Sequence, residues 1–402
     1  MTEHHRPIWD KGGAIDAEML RFTIGDDWLQ DRRLVEVDIQ GSLAHVAGLE
    51  RAELLSSADA RVIRGGLERL LATFRAGEWT VEAGDEDVHS AVERRLIDLI
   101  GDAGKRMHLG RSRNDQVATD MRLWLRGALV GTRAALERLT SACNGLESRR
   151  GGLPLPGYTH LRRAMPGTVA LWIGAYRVAF EADALPLAEA EARIARCPLG
   201  SGAGYGIPLP LDREGVARDL GFEGPEEPVT LPQLARGRAE LAYLTALEAI
   251  AIDLGKLFFD LWLYSSAEFG FVQLPEELTT GSSLMPQKRN PDLVELVRAH
   301  CRQTVADRAA LLDVLRDLPA GYHRDFQLVK PPLFRSHDRM MAALPLAARL
   351  IERLELDEDA LRRASSDPDL VATKKALERA AAGEPFRDAY RAEGQTHKGG
   401  GS

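Results

Sequence analysis

The stretch DQVATDMRLWLRGALVGTRAALERLTSACNGLESRR, residues 115–150, decides the fold. It holds no proline, and Val117, Met121, Trp124, Leu125, Leu129, Leu136 and Leu139 form an apolar stripe at helical spacing. A helix of ~36 residues spans ~54 Å, a length suited to a bundle rather than to a compact α/β domain. Outward from it the same pattern recurs. A second helix is expected over about 168–196, kinked or split by Pro186, and a third over about 232–268. A fourth is expected over 291–317 and a fifth near 331–353. In the third, Leu241, Leu244, Leu247, Ile250, Ile252, Leu254 and Leu257 do not share one stripe. A helix apolar all round must be covered all round, either at the centre of a monomeric bundle or against other subunits.

The flanks are different in character. Residues 1–110 mix short helices, expected at Asp16 to Arg21 and Gly48 to Phe74, with breaks at Gly12-Gly13 and Gly84. No sustained period-two alternation signals a sheet. Short helices return over 355–390, and the last dozen residues are polar and expected to be flexible. The pattern predicts an all-α protein in three parts. An N-terminal, mostly helical domain spans 1–110. A central long-helix bundle spans 111–353 and carries the oligomerisation surfaces and the active-site loops. A short C-terminal helical domain with a flexible tail spans 354–402.

Composition narrows the class. The chain has 402 residues, 45% hydrophobic and 28% charged, ordinary values for a globular protein with a large core. With 52 basic against 60 acidic residues the net charge is −8, which argues against a dedicated nucleic-acid or anionic-membrane surface. Cys143, Cys197 and Cys301 are odd in number and widely spaced, so neither a disulfide framework nor a zinc ribbon is expected. The opening residues MTEHHRPIWDKGG lack an apolar run, and Glu248, Asp253, Lys256 and Asp260 interrupt the most apolar long segment. No signal peptide or membrane span is therefore expected, and the reading is cytoplasmic. No Walker A loop, H-E-x-x-H or strand-borne G-x-G-x-x-G points to a nucleotide or a metal.

The chemistry concentrates in Gly281-Ser-Ser-Leu-Met-Pro-Gln-Lys-Arg-Asn-Pro-Asp-Leu-Val-Glu295. Its first half reads as a loop, where Gly281 allows unusual backbone angles and Pro286 fixes its own φ. Its second half reads as a helix start, with Asn290 as N-cap and Pro291 at the first helical position. Two serines, the Lys288 ammonium and a helix N-terminus would then converge, a setting for a carboxylate or an oxyanion formed during reaction.

Further blocks carry donors or proton carriers. His108-Leu-Gly-Arg-Ser-Arg-Asn-Asp-Gln116 offers arginine forks suited to carboxylates, or else solvated salt bridges. Pro156-Gly-Tyr-Thr-His-Leu-Arg-Arg-Ala-Met-Pro166 sets His160 in a loop, where it is either a proton carrier or a structural histidine. Tyr322-His-Arg-Asp-Phe-Gln-Leu-Val-Lys330 follows the fourth helix, and Asp85 to Leu96 opens acidic and contains His89. The run Gly200-Ser-Gly-Ala-Gly-Tyr-Gly206 follows a helix and reads as a structural loop.

These blocks resemble the fumarase/aspartase superfamily, whose GSSxMPxKxNP signature residues 281–291 match at every fixed position. GRSRNDQ, a GYTHLxRAxP stretch, Y-x-x-D-x-Q-x-x-K and a DEDIHxxxERRL-like stretch make the closest resemblance that to the argininosuccinate lyases. It covers about residues 9–390. The departures are Leu109 for a threonine, Arg162 and Met165 for glutamines, and Gly25-Asp26-Asp27 where a serine is expected near position 27.

The resemblance implies a fumarase/aspartase-like fold and reversible β-elimination of argininosuccinate to arginine and fumarate, without a cofactor or metal. It implies Ser282 as general base, with Lys288 and Asn290 holding a substrate carboxylate. His160, oriented by Glu295, would assist proton delivery to the leaving nitrogen. His89, Ser112, Arg113, Asn114, Thr159, Tyr322, Gln327 and Lys330 would position substrate. It further implies a homotetramer whose sites are each built from three subunits. A sister fumarate-releasing lyase with another amine leaving group, or a structural homologue of low activity, remain as alternatives.

Overall fold

The structure, a computed structural model, describes residues 16–396. The Gly12-Gly13 break and the reading of the first residues lie outside them. The described chain is all-α, as the sequence predicts. In chain order α1 (Ala17–Ile24), α2 (Asp27–Asp31), α3 (Val35–Arg51), α4 (Ser57–Arg75) and α5 (Val88–Ile100) precede the long α6 (Arg113–Arg150). The strands β1 (Gly157–Thr159) and β2 (Arg162–Met165) lead into α7 (Val169–Ala182), α8 (Ala184–Arg193), α9 (Arg213–Asp219), α10 (Leu231–Leu234) and α11 (Arg238–Tyr264). Then follow β3 (Val272–Gln273), β4 (Thr280–Gly281), β5 (Arg289–Asn290), α12 (Asp292–Leu315) and α13 (Lys330–Arg353). The chain closes with β6 (Glu355–Leu356), α14 (Glu358–Ser365), α15 (Ala372–Ala381) and α16 (Phe386–Thr396).

The residues group into two compact units. The first holds 16–131, 185–247 and 306–338; the second holds 132–184, 248–305 and 339–396. In the first, α3, α4 and α5 pack in sequence, and small residues set the spacing. A Cβ on Gly48 would lie 2.5 Å from Val216 of α9, and one on Gly66 would lie 2.7 Å from Leu96 of α5. Ala44, Leu123, Cys197, Leu199, Val216, Ala217, Leu220 and Phe222 form one of its apolar clusters. In the second unit, the later half of α6 meets α7 through Arg177 Nε and Glu147, 3.0 Å apart. There α7 and α11 share Asp260, which accepts from Trp172 Nε1 at 2.9 Å and Tyr176 Oη at 2.7 Å. Among the described residues, no helix is long and apolar enough to cross a membrane.

Several boundaries differ from the expectation, each for a local reason. The expected helix over 48–74 is two helices, because Glu53 takes φ +57° and Ser56 restarts the chain by capping Asp59 N at 3.1 Å. The second long helix breaks at Asp183, not at Pro186, which sits in the first turn of α8 where its missing N–H costs nothing. The third breaks at Gly237, whose φ of +78° and close fit against Leu315 admit no side chain. Of the tail expected to be flexible, residues up to Thr396 are helical, and the remainder lies outside the described residues. Among the described residues, six short strands form three two-stranded ribbons, too short for any alternation to show. Asn290 does not cap α12: it belongs to β5 and donates to the Gly281 carbonyl at 3.3 Å. The first helical acceptor there is the Pro291 carbonyl, bonded by Glu295 N at 3.1 Å, so the helix begins one residue later than expected.

Candidate active site

In the first unit a pocket of ≈ 250 Å³ is lined by residues from several elements, among them His89, Arg113, Asn114, Tyr322, Gln327 and Lys330. That is near the lower end of the ~300–1,000 Å³ typical of ligand pockets. Six of the predicted substrate contacts thus meet in one place, and Ser112 adjoins them at the start of α6. The α5 N-terminus brings His89 there, with Asp87 as N-cap accepting from Ser90 N at 2.7 Å. Arg113 is pinned to that same cap. Its Nη1 lies 2.9 Å from Asp87 and its Nη2 donates to Ser90 Oγ at 2.8 Å. Asp115 fastens the loop before α6, accepting from Ser112 N at 3.0 Å and from Gly200 N and Gly202 N at 2.9 and 2.8 Å. The glycine-rich run 200–206 is therefore a structural clasp, as expected.

Charge in the pocket is largely compensated. Lys330 is buried and donates to Asp27 at 2.9 Å and to Asp31 at 2.5 Å. Burial alone would depress its pKa, but the two carboxylates reverse that and hold it charged. Burial pushes Asp27 up to about 6 against the pull of Lys330, with the charge of Asp31 adding to the rise. His89 Nδ1 lies 2.7 Å from Asp38 and 3.6 Å from Asp120. Burial disfavours its proton, yet Asp38, then Asp87 and Asp120, outweigh burial and raise it to about 9. Asp38, His89 and Asp120 bring ligand atoms within 4.8 Å of one another, the one such group among the described residues. A cation there would have to displace the firmly held His89 proton beside the Arg111 charge. The cluster is better suited to fixing an imidazolium at the pocket wall.

The sequence reading missed Arg236. It is 6% exposed, lines the pocket, and lies 5.9 Å from the Tyr322 ring and 5.4 Å from the Phe326 ring. Its Nε and Nη1 have no hydrogen-bond partner, which leaves two donors of a buried cation for an anionic ligand group. Its one sequence signal is its place before Gly237, at a helix break that the periodicity conceals. Asp27 was flagged only as a departure. It occupies the pocket wall with one oxygen on Lys330 and the other unpartnered.

The remaining predicted residues lie in the second unit. β4 and β5 pair Thr280 with Asn290 and Gly281 with Arg289, closing a loop that carries Ser282 and Lys288. Within it Ser282 Oγ accepts from Met285 N at 3.0 Å and Leu284 N at 3.3 Å. Two backbone N–H groups on one hydroxyl oxygen favour its alkoxide, the form a base requires. Thr159 and His160 sit on the β1–β2 hairpin, where Thr159 faces Arg162 and Tyr158 faces Arg163. The two turn residues, His160 and Leu161, have φ of +54° and +57°. A two-residue turn with both φ positive normally takes Asn and Gly. Side chains in that region cost about 1–3 kcal/mol each, so the surrounding structure has to hold them there. His160 and Glu295 are both exposed, and neither bonds the other among the described residues. Arg162 is exposed on the same hairpin.

Comparisons with known proteins bear on the family and the fold. A family model described as lyase matches residues 13–306. An argininosuccinate lyase of Sorangium cellulosum (strain So ce56) is 46% identical over 393 residues, which cover 96% of this chain and 89% of that protein. An argininosuccinate lyase of Stenotrophomonas maltophilia (strain R551-3) is 42% identical over 386 residues, 96% of this chain and 89% of that one. Among solved structures, an EDDS lyase in complex with formate aligns with a TM-score of 0.81 at 23% identity, covering 95% of this chain and 76% of that one. The structural likeness bears on the fold and the sequence identity on the family. On both grounds the chain belongs to the argininosuccinate lyase family, a carbon–nitrogen lyase family of the fumarase/aspartase superfamily.

Proposed function

We propose that this protein cleaves argininosuccinate reversibly to L-arginine and fumarate, as a step of arginine biosynthesis in the cytoplasm. The observation that supports the reading most is the pocket. Its buried Arg236 keeps two free donors, while Arg113 and Lys330 are held in place by carboxylates. Such a wall suits a ligand carrying carboxylates on one part and a guanidinium on another.

The chemistry assigns each group a task. The Ser282 alkoxide takes the proton from the carbon next to a substrate carboxylate, and the electron pair is delocalised into that carboxylate. The resulting dianion needs positive charge and hydrogen-bond donors, which Lys288 supplies as a cation and Asn290 and the backbone N–H groups of the loop as donors. The carbon–nitrogen bond then breaks. The nitrogen leaves as arginine once His160, oriented by Glu295, delivers a proton to it. His89, Ser112, Arg113, Asn114, Thr159, Tyr322, Gln327 and Lys330 position the substrate.

His160 and Glu295 lack each other within one chain, and several apolar side chains of α7, α11 and α12 are exposed. Leu171 is 69% and Leu296 58% exposed, with Val178, Ile252, Phe259 and Trp262 also open. Long helices with such faces are stable when neighbours cover them. We take the assembly as a homotetramer in which the pocket of one subunit is completed by the Ser282 and His160 loops of others. In it the 111–353 bundle supplies the contacts between subunits, with 1–110 and 354–402 as flanking modules.

The test is direct: argininosuccinate is added and fumarate followed by its ultraviolet absorbance. Fumarate release supports the reading. Arg162 and Leu109, with the carboxylate Asp27 near the position of an expected serine, favour one other reading, a sister lyase with a different amine leaving group. Fumarate from adenylosuccinate or aspartate but none from argininosuccinate would establish that alternative.

A further inference from the structure

We propose that Asp367, acting through Arg163, is a positioning residue that holds His160 in its left-handed turn. The inference rests on the reading of His160 as the proton donor.

His160 and Leu161 form the whole connection between β1 and β2, and both have positive φ. Neither is glycine or asparagine, so the turn is not favoured by its own residues. It has to be imposed by the strands. The ladder is short, ending at Gly157 and Met165 with an irregularity between Gly157 and Tyr158. Two contacts brace it. Tyr158 sets its ring edgewise on Phe269, centroids 5.6 Å apart. Opposite Tyr158 in the register, the Arg163 guanidinium is bonded by Asp367. Asp367 is itself fixed, because it caps the short helix that starts at Pro368 by accepting from Asp369 N at 2.9 Å. Its side chain is 19% exposed, against 47% for Arg163, so the pair is shielded on one side only. The Arg163 pKa is raised, first by the Asp367 hydrogen bond and then by Tyr158. The brace thus runs from a capped helix, through one ion pair, to the strand residue two places from the turn.

A fully solvated pair of this kind would contribute little to stability. Its consequence is expected in geometry instead, since a displacement of about 1 Å in a reacting group can cost ~10²-fold in rate. The experiment is a double-mutant cycle on the full chain, with kcat and KM measured by fumarate release. Asp367→Asn is expected to lower kcat by about 10- to 100-fold with KM within about 2-fold. In a His160→Gln background the same change should cost nothing further, because the positioned group is gone. Arg163→Asp combined with Asp367→Arg should recover most of the rate lost by either single variant. A normal kcat in Asp367→Asn, or a loss that simply adds to that of His160→Gln, overturns the brace and leaves the role of His160 standing. A near-normal rate in His160→Gln overturns the reading of His160, and the proposal falls with it.

Discussion

The pocket of the first unit and the two loops of the second are built on opposite principles. In the pocket, Lys330 and His89 are buried, Arg113 is half-buried, and each is answered by carboxylates of the same chain. In the loops, His160, Glu295 and Lys288 are exposed, and the His160 turn is held in a region its residues resist. The first arrangement fixes donors before substrate arrives. The second presents exposed side chains on short ribbons, which the proposed assembly would cover with neighbouring subunits. On the proposed roles, the pocket serves binding, while the loops carry the proton-transfer groups together with part of the binding.

That separation predicts which variants damage rate and which damage the folded state. Ser282→Ala should lower kcat by about 10²–10⁴-fold, the usual worth of a positioned proton-transfer group. Its unfolding midpoint and its oligomeric state on a sizing column should match those of the parent protein. Near-parental rates would move the base elsewhere. Lys330→Met should damage the folded state as well as substrate binding. It strands Asp27 and Asp31 in a buried pocket, and removing one partner of a buried ion pair costs about 3–5 kcal/mol. Denaturant unfolding measures this, and a loss below about 1 kcal/mol would mean that the pocket is far wetter than its geometry indicates.

His89 adds a pH dependence to the pocket alone. Its pKa is raised from the ordinary 6.5 to about 9 in the folded protein. A group raised on folding contributes stability that is full below the unfolded value and fades as pH rises through the folded one. The rise corresponds to on the order of 3 kcal/mol, present below about pH 6.5 and gone above about pH 9. Thermal midpoints measured from pH 6 to 10 should therefore fall across that window in the parent protein and fall less in His89→Gln. Parallel curves for the two proteins would show that His89 is not the titrating group.

The long helices were legible because their cause is local. A proline-free run with an apolar stripe specifies α6 whatever surrounds it, and the structure places α6 within two residues of the expected start. Breaks were less legible where the hydrophobic pattern runs straight through them. Gly237 ends a turn because Leu315, far along the chain, leaves no room for a side chain. Pro186 looked like the breaker and is instead absorbed in a first turn. The motif-borne residues were visible as strings, but Arg236 and Asp31 were not, because their meaning lies in partners far along the chain, the Tyr322 and Phe326 rings and Lys330. Asn290 was misplaced for the same reason: a two-residue ribbon with Gly281 outcompetes the cap.

Asp27 carries the smallest expected effect and the most specific one. Lys330 is shared between two carboxylates, so its pull on a substrate carboxylate is weakened. Asp27→Ser removes one of them and puts a neutral hydroxyl close to where the family pattern expects a serine. Less compensation should strengthen binding of the anionic part of the substrate, lowering KM by about 2- to 10-fold with kcat little changed. The parent protein should show the same effect through titration. Asp27 is raised to about 6, so as pH falls through that value it is neutralised and KM should fall toward that of the variant. The variant, lacking the carboxyl, should show no such step. If Asp27→Ser instead raises KM, the carboxylate is itself a substrate contact, its unpartnered oxygen accepting from a cationic nitrogen of the ligand, and the pocket wall reads the amine rather than sparing Lys330 for the acid.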